Sequence, residues 1–120
     1  MTSIAQRHQL HGRRACALVV GVALLAGCAS PVYRDRYAWN EGWREGVVLA
    51  AGRGADLGER RWFDCRYALP ATQAASSRFV VVQVSDASHL RHVVVPLAAG
   101  ALPARGDRLV VRARSCEPPP

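Results

Sequence analysis

The residues whose types are best suited to catalysis stand together near the middle of the chain. Asp86, Ser88 and His89 are the three residue types of a hydrolytic triad. They fall within one turn, whereas a working triad brings its base and nucleophile together from separated segments. The sequence also contains no Gly-x-Ser-x-Gly elbow, no phosphate-binding glycine loop and no carboxylate pair suited to acid and base work. We therefore expect no catalytic residue and no enzymatic activity.

Two histidines have the spacing of a metal-binding pair. His89 and His92 form a His-x-x-His pattern, which on a helix would share one face and could chelate a metal. The run Val93-Val94-Val95 instead predicts a strand, where a spacing of three places two side chains on opposite faces. We expect two solvated histidines beside a turn, with no metal and no cofactor bound there.

Cysteine chemistry offers a covalent constraint. Cys65 and Cys116 are the last two of four cysteines. In an oxidising compartment such a pair predicts a disulfide, and no metal-ligand spacing competes with it. The bridge would close a loop of about 50 residues and contribute at most about 4 kcal/mol. The alternative is two separate thiols, one buried and one in a frayed tail.

A further pattern lies in the arginines near the end of the chain. Arg108, Arg112 and Arg114 have the same strand parity, so they are predicted to line one face. If the disulfide joins the two strands, three more arginines come near this face: Arg60, Arg61 and Arg66. Guanidinium forks on such a surface can bind the phosphates of lipid headgroups or lipopolysaccharide. The alternative is the solvated side of a half-buried strand.

The beginning of the chain has the pattern of an export signal. Residues 1–14 carry three arginines and no acidic residue, and residues 15–26 form an apolar run too short to span a bilayer. Leu25-Ala26-Gly27-Cys28 places small residues before a cysteine. This arrangement resembles the signal peptide and lipobox of bacterial lipoproteins. The alternative is an ordinary signal peptide cleaved at Ala26 or Ala29.

The resemblance implies a location and a lipid. Residues 1–27 would be removed, and Cys28 would become the lipid-modified first residue of the mature chain, with no cofactor besides this lipid. Ala29, rather than an aspartate, implies the outer membrane by the sorting rule of enteric lipoproteins, with the domain facing the periplasm. Removing the three arginines of the signal lowers the formal net charge from +7 to +4. The compartment excludes nucleic acid as a partner.

The mature chain is predicted to begin with a tether, residues 28–42. Pro31 breaks any helix there. Four aromatic side chains follow in a charged stretch: Tyr33, Tyr37, Trp39 and Trp43. These rings could lie at the headgroup level of a membrane or pack on the rim of the domain.

Residues 43–116 are predicted to form one small β domain. Residues 47–51 form one apolar strand, and residues 61–67 alternate, which places Cys65 on the apolar face of a half-buried strand. Residues 70–77 lack periodicity and are predicted to form a loop.

The second half of this domain has a hairpin pattern. Residues 79–84 and 89–97 are rich in valine on either side of turn residues, and Pro96 is expected to end the second strand. The last strand, residues 108–114, follows Pro103-Ala104-Arg105-Gly106-Asp107, which resembles the turn before a strand in small OB-like and SH3-like barrels.

The predicted fold is therefore all-β. It has about five antiparallel strands in a small, partly open barrel or sandwich, without a long helix after the signal. Residues 117–120 are predicted to be a disordered tail, because three consecutive prolines cannot pair in a sheet.

Two classes of function stay open at this point. The first is a non-enzymatic, membrane-anchored envelope lipoprotein with a structural or protein-interaction role. The second is a binding module for an anionic envelope ligand, such as lipid phosphate or lipopolysaccharide, or an inhibitor of a secreted enzyme. A lipid-anchored barrel closed by a disulfide is similar to the membrane-bound lysozyme inhibitors of Gram-negative bacteria. The Ser-Gly-containing inhibitory loop of that family is not apparent here.

Overall fold

The computed structural model describes residues 30–120. The predicted signal peptide, residues 1–27, and the predicted lipid-modified Cys28 lie outside the described residues. The strands are β1 Val32–Tyr33, β2 Tyr37–Ala38, β3 Trp43–Arg53, β4 Phe63–Asp64, β5 Arg78–Asp86, β6 His89–Pro96 and β7 Arg108–Arg112. A short helix, α1, spans Ala71–Ser76, and 3-10 turns span Trp39–Glu41, Gly54–Asp56 and Cys65–Ala68.

Five of the strands form one mixed sheet in the order β4-β6-β5-β3-β7. Neighbouring strands are antiparallel except β4 and β6, which run parallel. Strands β1 and β2 form a separate two-stranded ribbon. The predicted β-rich fold is confirmed, with two corrections. One strand pair is parallel, and the sheet does not close into a barrel because β4 and β7 each pair on one side only.

The predicted hairpin is confirmed by β5 and β6, which form the centre of the core. Val80, Val81 and Val82 pair with the valines of β6, and all of these side chains are buried. Four consecutive buried residues in β5 mean that both faces of the sheet are covered at this point. Asp86 pairs with His89 across a two-residue loop. Strand β6 ends at its proline, as the sequence predicts.

The turn before β7 also agrees with the prediction. Gly106 has a φ of 91°, a conformation that favours glycine. Its N–H donates to the carbonyl of Val48 at 2.8 Å, and the Val48 N–H donates to the carbonyl of Asp107 at 2.8 Å. The Asp107 carboxylate accepts the N–H of Ala104 at 2.8 Å. This turn ties the start of β7 to the middle of β3.

The last strand is shorter than predicted. It ends at Arg112, and Arg114 has a φ of 61°, which lies outside the strand region. The Ala113 N–H donates a hydrogen bond to the carbonyl of Gly42 at 2.8 Å. The prediction of a shared strand face therefore applies to Arg108 and Arg112 and is wrong for Arg114.

Residues 61–67 do not form the predicted alternating strand. Only Phe63–Asp64 is extended and paired, and a 3-10 turn follows directly. The Asp64 carboxylate accepts the backbone N–H of Arg66 at 3.1 Å, which satisfies a donor that a longer strand would have paired. As a result Arg66 is buried and Tyr67 is 57% exposed, whereas strict alternation would have placed Tyr67 with Cys65 on the apolar face and Arg66 on the solvent face.

Residues 70–77, predicted as a loop, contain α1. The Ala74 N–H donates to the carbonyl of Pro70 at 2.9 Å, and the Ser77 N–H donates to that of Gln73 at 3.0 Å. Alanine is the strongest helix former, but six residues are too few to show a helical hydrophobic period. Ala74 is the buried residue of this helix and lies beside the turn at Gly54.

The predicted disulfide between Cys65 and Cys116 is present, with 5.7 Å between the Cα atoms. Cys65 is 3% exposed and belongs to the core, so the bridge fastens the end of the chain to the turn after β4. Residues 30–120 contain no helix of the length and apolarity that a membrane crossing requires.

The aromatic residues at the start of the domain, up to the first residue of β3, pack on one another and on an arginine. The rings of Tyr37 and Trp43 are 4.7 Å apart between centroids. The Arg44 guanidinium lies 4.0 Å from the ring centroid of Trp39 and donates to the Trp39 carbonyl at 2.7 Å. It also reaches Asp86 at 3.4 Å, which links the first residues of the domain to the tip of the hairpin.

Candidate functional site

The strongest candidate site is a group of cationic and aromatic side chains at the β4 edge of the sheet. We call it the Trp62 cluster, and it consists of Arg61, Trp62, Arg91, His92 and Arg114. The first two residues directly precede β4, the next two lie in β6, and the last follows β7. Parallel pairing of β4 with β6 brings the first two segments together.

Trp62 is the centre of the cluster. Its ring is contacted by two guanidinium groups, with centroid distances of 5.1 Å to Arg91 and 5.3 Å to Arg114. Both distances are in the range of a cation–π interaction, which orients a cation without neutralising its charge. Trp62 is 40% exposed, so the cluster faces solvent.

Arg61 is held by a chain of neutral partners. Its Nη1 lies 3.0 Å from Nδ1 of His92, and Nε2 of His92 lies 3.2 Å from the side-chain oxygen of Gln83. A guanidinium can only donate, so Nδ1 must accept. The proton of the neutral imidazole is then on Nε2 and is donated to Gln83. Arg61 is therefore positioned but keeps its full positive charge.

The charge of the cluster is not compensated by carboxylates. In the part of the chain that the structure describes, none of Arg61, Arg91 and Arg114 has an ion pair. The Nε atoms of Arg61 and Arg91 are buried there without a hydrogen-bond partner. Arg61 and Arg91 are half-buried, which weakens the screening of their charges by solvent, whereas Arg114 is exposed.

The disulfide explains how Arg114 reaches Trp62. Cys116 follows Arg114 by two residues, and Cys65 follows Trp62 by three. Because the bridge brings Cα atoms of the two cysteines to 5.7 Å, the residues just before them are also brought close together. The covalent bond therefore belongs to the construction of the cluster as well as to the stability of the domain.

Two of the arginines predicted to bind anions lie elsewhere and already have acidic neighbours. Arg108 Nη1 lies 3.5 Å from Glu45 Oε1. Arg112 Nη1 lies 3.8 Å from Glu117 Oε1, and its Nε donates to the Glu41 carbonyl at 3.1 Å. The structure thus places Arg108 and Arg112 on β7 and brings Arg114 to the Trp62 cluster instead.

Two further arginines named from the sequence have other roles. The Arg60 guanidinium lies over the ring of Tyr67 at 4.4 Å. Arg66 is buried and forms a two-pronged ion pair with Asp64, at 3.0 Å from Nε and 2.7 Å from Nη2. Its remaining donors reach three backbone carbonyls, those of Gly54, Gly58 and Glu59. Arg66 therefore organises the surrounding loop and has no free donor for a ligand.

The electrostatics of the buried pair follow from these contacts. Burial alone would raise the pKa of Asp64, but hydrogen bonds from the Arg66 side chain and from the N–H groups of Arg61 and Arg66 hold the pKa below its usual value. The same pair raises the pKa of Arg66, chiefly through the hydrogen bond to Asp64. Asp64 is therefore an ionised structural carboxylate.

The histidines and the triad residue types stay near the hairpin tip. His89 and His92 both lie in β6, paired with Asp86 and Gln83 respectively, and so face opposite sides of the sheet. Asp86 has Arg44 as its ion partner at 3.4 Å. In residues 30–120 no three metal-ligating side chains converge on a common point.

A second feature is a cavity of about 320 Å³ between α1 and the Arg66 loop. It is lined by Gly54, Arg66, Tyr67, Leu69 and alanines of α1. Arg66 already has all of its side-chain donors engaged, which leaves the Tyr67 hydroxyl as the other polar side-chain group of the lining. The cavity therefore offers a shallow apolar surface rather than a set of convergent polar groups.

Trp62 and Arg91 were not singled out as site residues from the sequence. Their contact depends on the pairing of β4 with β6, and a two-residue strand has no recognisable sequence pattern.

No protein-family model matches the chain, and no curated protein or solved structure is detectably similar to it.

Proposed function

We propose that this chain is an exported lipoprotein whose small β domain, attached to the outer membrane through lipid on Cys28, acts by binding rather than by catalysis. The proposal joins the lipobox-like Leu25-Ala26-Gly27-Cys28 with the structure of residues 30–120. The signal peptide, the lipid and the location are parts of this proposal.

The observation that carries the proposal is the disulfide between Cys65 and Cys116. Disulfides persist in oxidising compartments such as the bacterial periplasm and are rare in the cytosol. Among the cysteines from residue 28 onward, the bridge uses two and leaves Cys28 as the thiol that can receive a lipid. Export and lipid attachment therefore account for all three.

A binding role is supported by the kind of surface that the domain presents. Only residues 29–31 lie between Cys28 and β1, so a lipid on Cys28 would keep the domain at the membrane. The Trp62 cluster presents three arginines that form no ion pair with any carboxylate of the described residues, 30–120. An anionic ligand of the envelope is therefore a specific candidate, and such binding should weaken with added salt.

The test is replacement of the proposed lipid-bearing residue. Cys28→Ser should leave an unprocessed precursor and abolish labelling by a fatty-acid analogue in living bacteria. Cys16→Ser, within the predicted signal peptide, is the matched control and should label like the wild type. Unchanged labelling of Cys28→Ser would contradict the anchor. Fractionation of the labelled protein into the inner membrane would contradict the outer-membrane location alone.

A further inference from the structure

We propose that the Trp62 cluster is a binding site for a phosphoryl group. The inference rests on the proposed binding role of the domain and assigns its ligand class. It moves the anion site away from Arg108 and Arg112, which already have acidic neighbours, to Arg91 and Arg114, which form no ion pair within residues 30–120.

The first argument is charge. Arg91 and Arg114 place two positive charges at the ring of Trp62, and Arg61, beside His92, adds a third charge at the same edge of the sheet. Asp64 is the carboxylate closest to Trp62 in sequence, but its oxygens accept from Arg66 and from backbone N–H groups. The two guanidinium groups that share the Trp62 ring repel each other, so an anion that binds both relieves the repulsion.

The second argument is preorganisation. Trp62 holds two guanidinium groups at 5.1 and 5.3 Å from one centroid, and His92 holds the third through a hydrogen bond of 3.0 Å. The side chains are ordered before a ligand arrives, which reduces the entropy lost on binding. The remaining guanidinium N–H groups stay available as donors.

The number of arginine donors and charges at the cluster favours a phosphoryl group over a carboxylate. A phosphate monoester carries about −1.5 to −2 charges at neutral pH and three strong acceptor oxygens. A carboxylate has one charge and two oxygens, which a single arginine can satisfy. The two guanidinium groups at Trp62 supply two positive charges and several N–H donors, so they match a phosphoryl group better. Arginine forks also fit phosphate in a two-pronged geometry.

The direct experiment is calorimetric titration of the full-length chain, in a nonionic detergent, with inorganic pyrophosphate. We expect saturable binding that weakens about tenfold in each of Arg91→Gln and Arg114→Gln, the factor expected when one charge-assisted hydrogen bond is lost. Arg105→Gln removes the same charge from an exposed turn outside the cluster and should bind like the wild type. The double variant Arg108→Gln/Arg112→Gln should also retain binding.

A second measurement guards against variants that do not fold. In the wild-type chain, pyrophosphate should shift the indole N–H resonance of Trp62 in an NMR titration, whereas the resonances of Trp39 and Trp43 should move little. Thermal unfolding of each variant identifies any that have lost the fold. The Trp62 shift in the wild-type chain tests binding at the cluster without relying on those variants.

Two sources of the phosphoryl group are separated by lipid composition. The full-length chain is placed in nanodiscs of phosphatidylcholine alone, or of phosphatidylcholine with phosphatidic acid. If the ligand is a lipid headgroup, phosphatidic acid should occupy the cluster and lower the apparent affinity for pyrophosphate. Equal affinity in both nanodiscs would assign the site to soluble phosphate esters.

The proposal is overturned if the wild type shows no saturable binding, if Arg91→Gln and Arg114→Gln bind as tightly as the wild type, or if only the Arg108→Gln/Arg112→Gln pair loses binding. Its failure is distinguishable from failure of the lipid anchor. Pyrophosphate binding together with unchanged labelling of Cys28→Ser refutes the anchor alone, and loss of labelling in Cys28→Ser together with no pyrophosphate binding by the wild type refutes the cluster alone.

Discussion

Individual arginines in this domain differ in role because their neighbours differ. Arg66 is buried against Asp64 and backbone carbonyls, and all of its donors have partners. Arg91 and Arg114 instead lie against an aromatic ring that leaves their charge intact. The first arrangement supports a loop, and the second presents charge to a ligand. Sequence alone shows only the residue type, which is the same in both.

The buried ion pair between Asp64 and Arg66 predicts that a single substitution of similar shape will strongly lower the free energy of unfolding. Asp64→Asn keeps the side-chain shape but leaves the buried Arg66 without its counter-charge, so we expect a loss of about 3–5 kcal/mol of unfolding free energy. The control is Asp56→Asn, in an exposed pair with Arg53 at 3.5 Å, which should cost less than about 1 kcal/mol. Urea unfolding followed by tryptophan fluorescence measures both. Similar losses in the two variants would contradict the structural role of Asp64.

The same carboxylate predicts a dependence on pH. Its pKa is held below the reference value of 3.8, so it binds a proton less readily in the folded state than in the unfolded state. The stabilisation it provides is complete above that value and is lost as the pH falls through the folded-state pKa. Urea unfolding from about pH 5 down to about pH 3 should show a steeper loss in the wild type than in Asp64→Asn. Equal slopes would show that Asp64 is not linked to stability.

At the scale of elements, the sequence predicted those with a long, regular pattern. The valine-rich hairpin of β5 and β6 and the turn around Gly106 were predicted because each has its own local signal. Residues 61–67 alternate in hydrophobicity, yet the Asp64 side chain caps a turn and ends the strand after two residues. Helix α1 is too short to show a period. Contacts between distant segments, such as Trp62 with Arg91, depend on these short elements and could not be predicted.

The packing of α1 can be tested with two glycines from the same region. A Cβ on Gly54 would collide with the carbonyl oxygen of Ala74, which is backbone and cannot rotate away. Gly54→Ala should therefore cost about 1–3 kcal/mol. Gly52→Ala is the control, since its Cβ would meet only Leu57 at 4.0 Å, and it should change stability by about 0.5 kcal/mol or less. Equal stability of the two variants would contradict the close approach of α1.

The disulfide predicts unequal effects of its two cysteines. Cys116→Ala breaks the bridge and should lower the unfolding free energy by at most about 4 kcal/mol. Cys65→Ala breaks the same bond and also leaves a cavity in the core, where Cys65 is 3% exposed, so it should cost more. Both variants should weaken pyrophosphate binding, because Arg114 is no longer held at Trp62. Retention of full binding by Cys116→Ala would contradict the role of the bridge in building the cluster.

At the scale of the whole molecule, the disulfide between Cys65 and Cys116 stabilises the fold, brings Arg114 towards Trp62 and supports the proposed export. The sheet is open at both edges, and the bridge fastens the last residues of the chain across its β4 side. The pairing of Cys65 with Cys116 could be predicted from the sequence because cysteine counting leaves few alternatives after Cys28. The position of the proposed anion site could not be predicted, because only the folded chain shows which arginines already have acidic neighbours.

The most direct test of the proposed export, lipid attachment and disulfide is the intact mass of the protein isolated from native membranes, measured after thiol alkylation with and without prior reduction. We expect a chain that begins at Cys28 and carries covalent lipid. We also expect that Cys65 and Cys116 resist alkylation before reduction and gain two alkyl groups after it. A chain that retains residues 1–27 and carries no lipid, or thiols at Cys65 and Cys116 that react without reduction, would contradict the proposal.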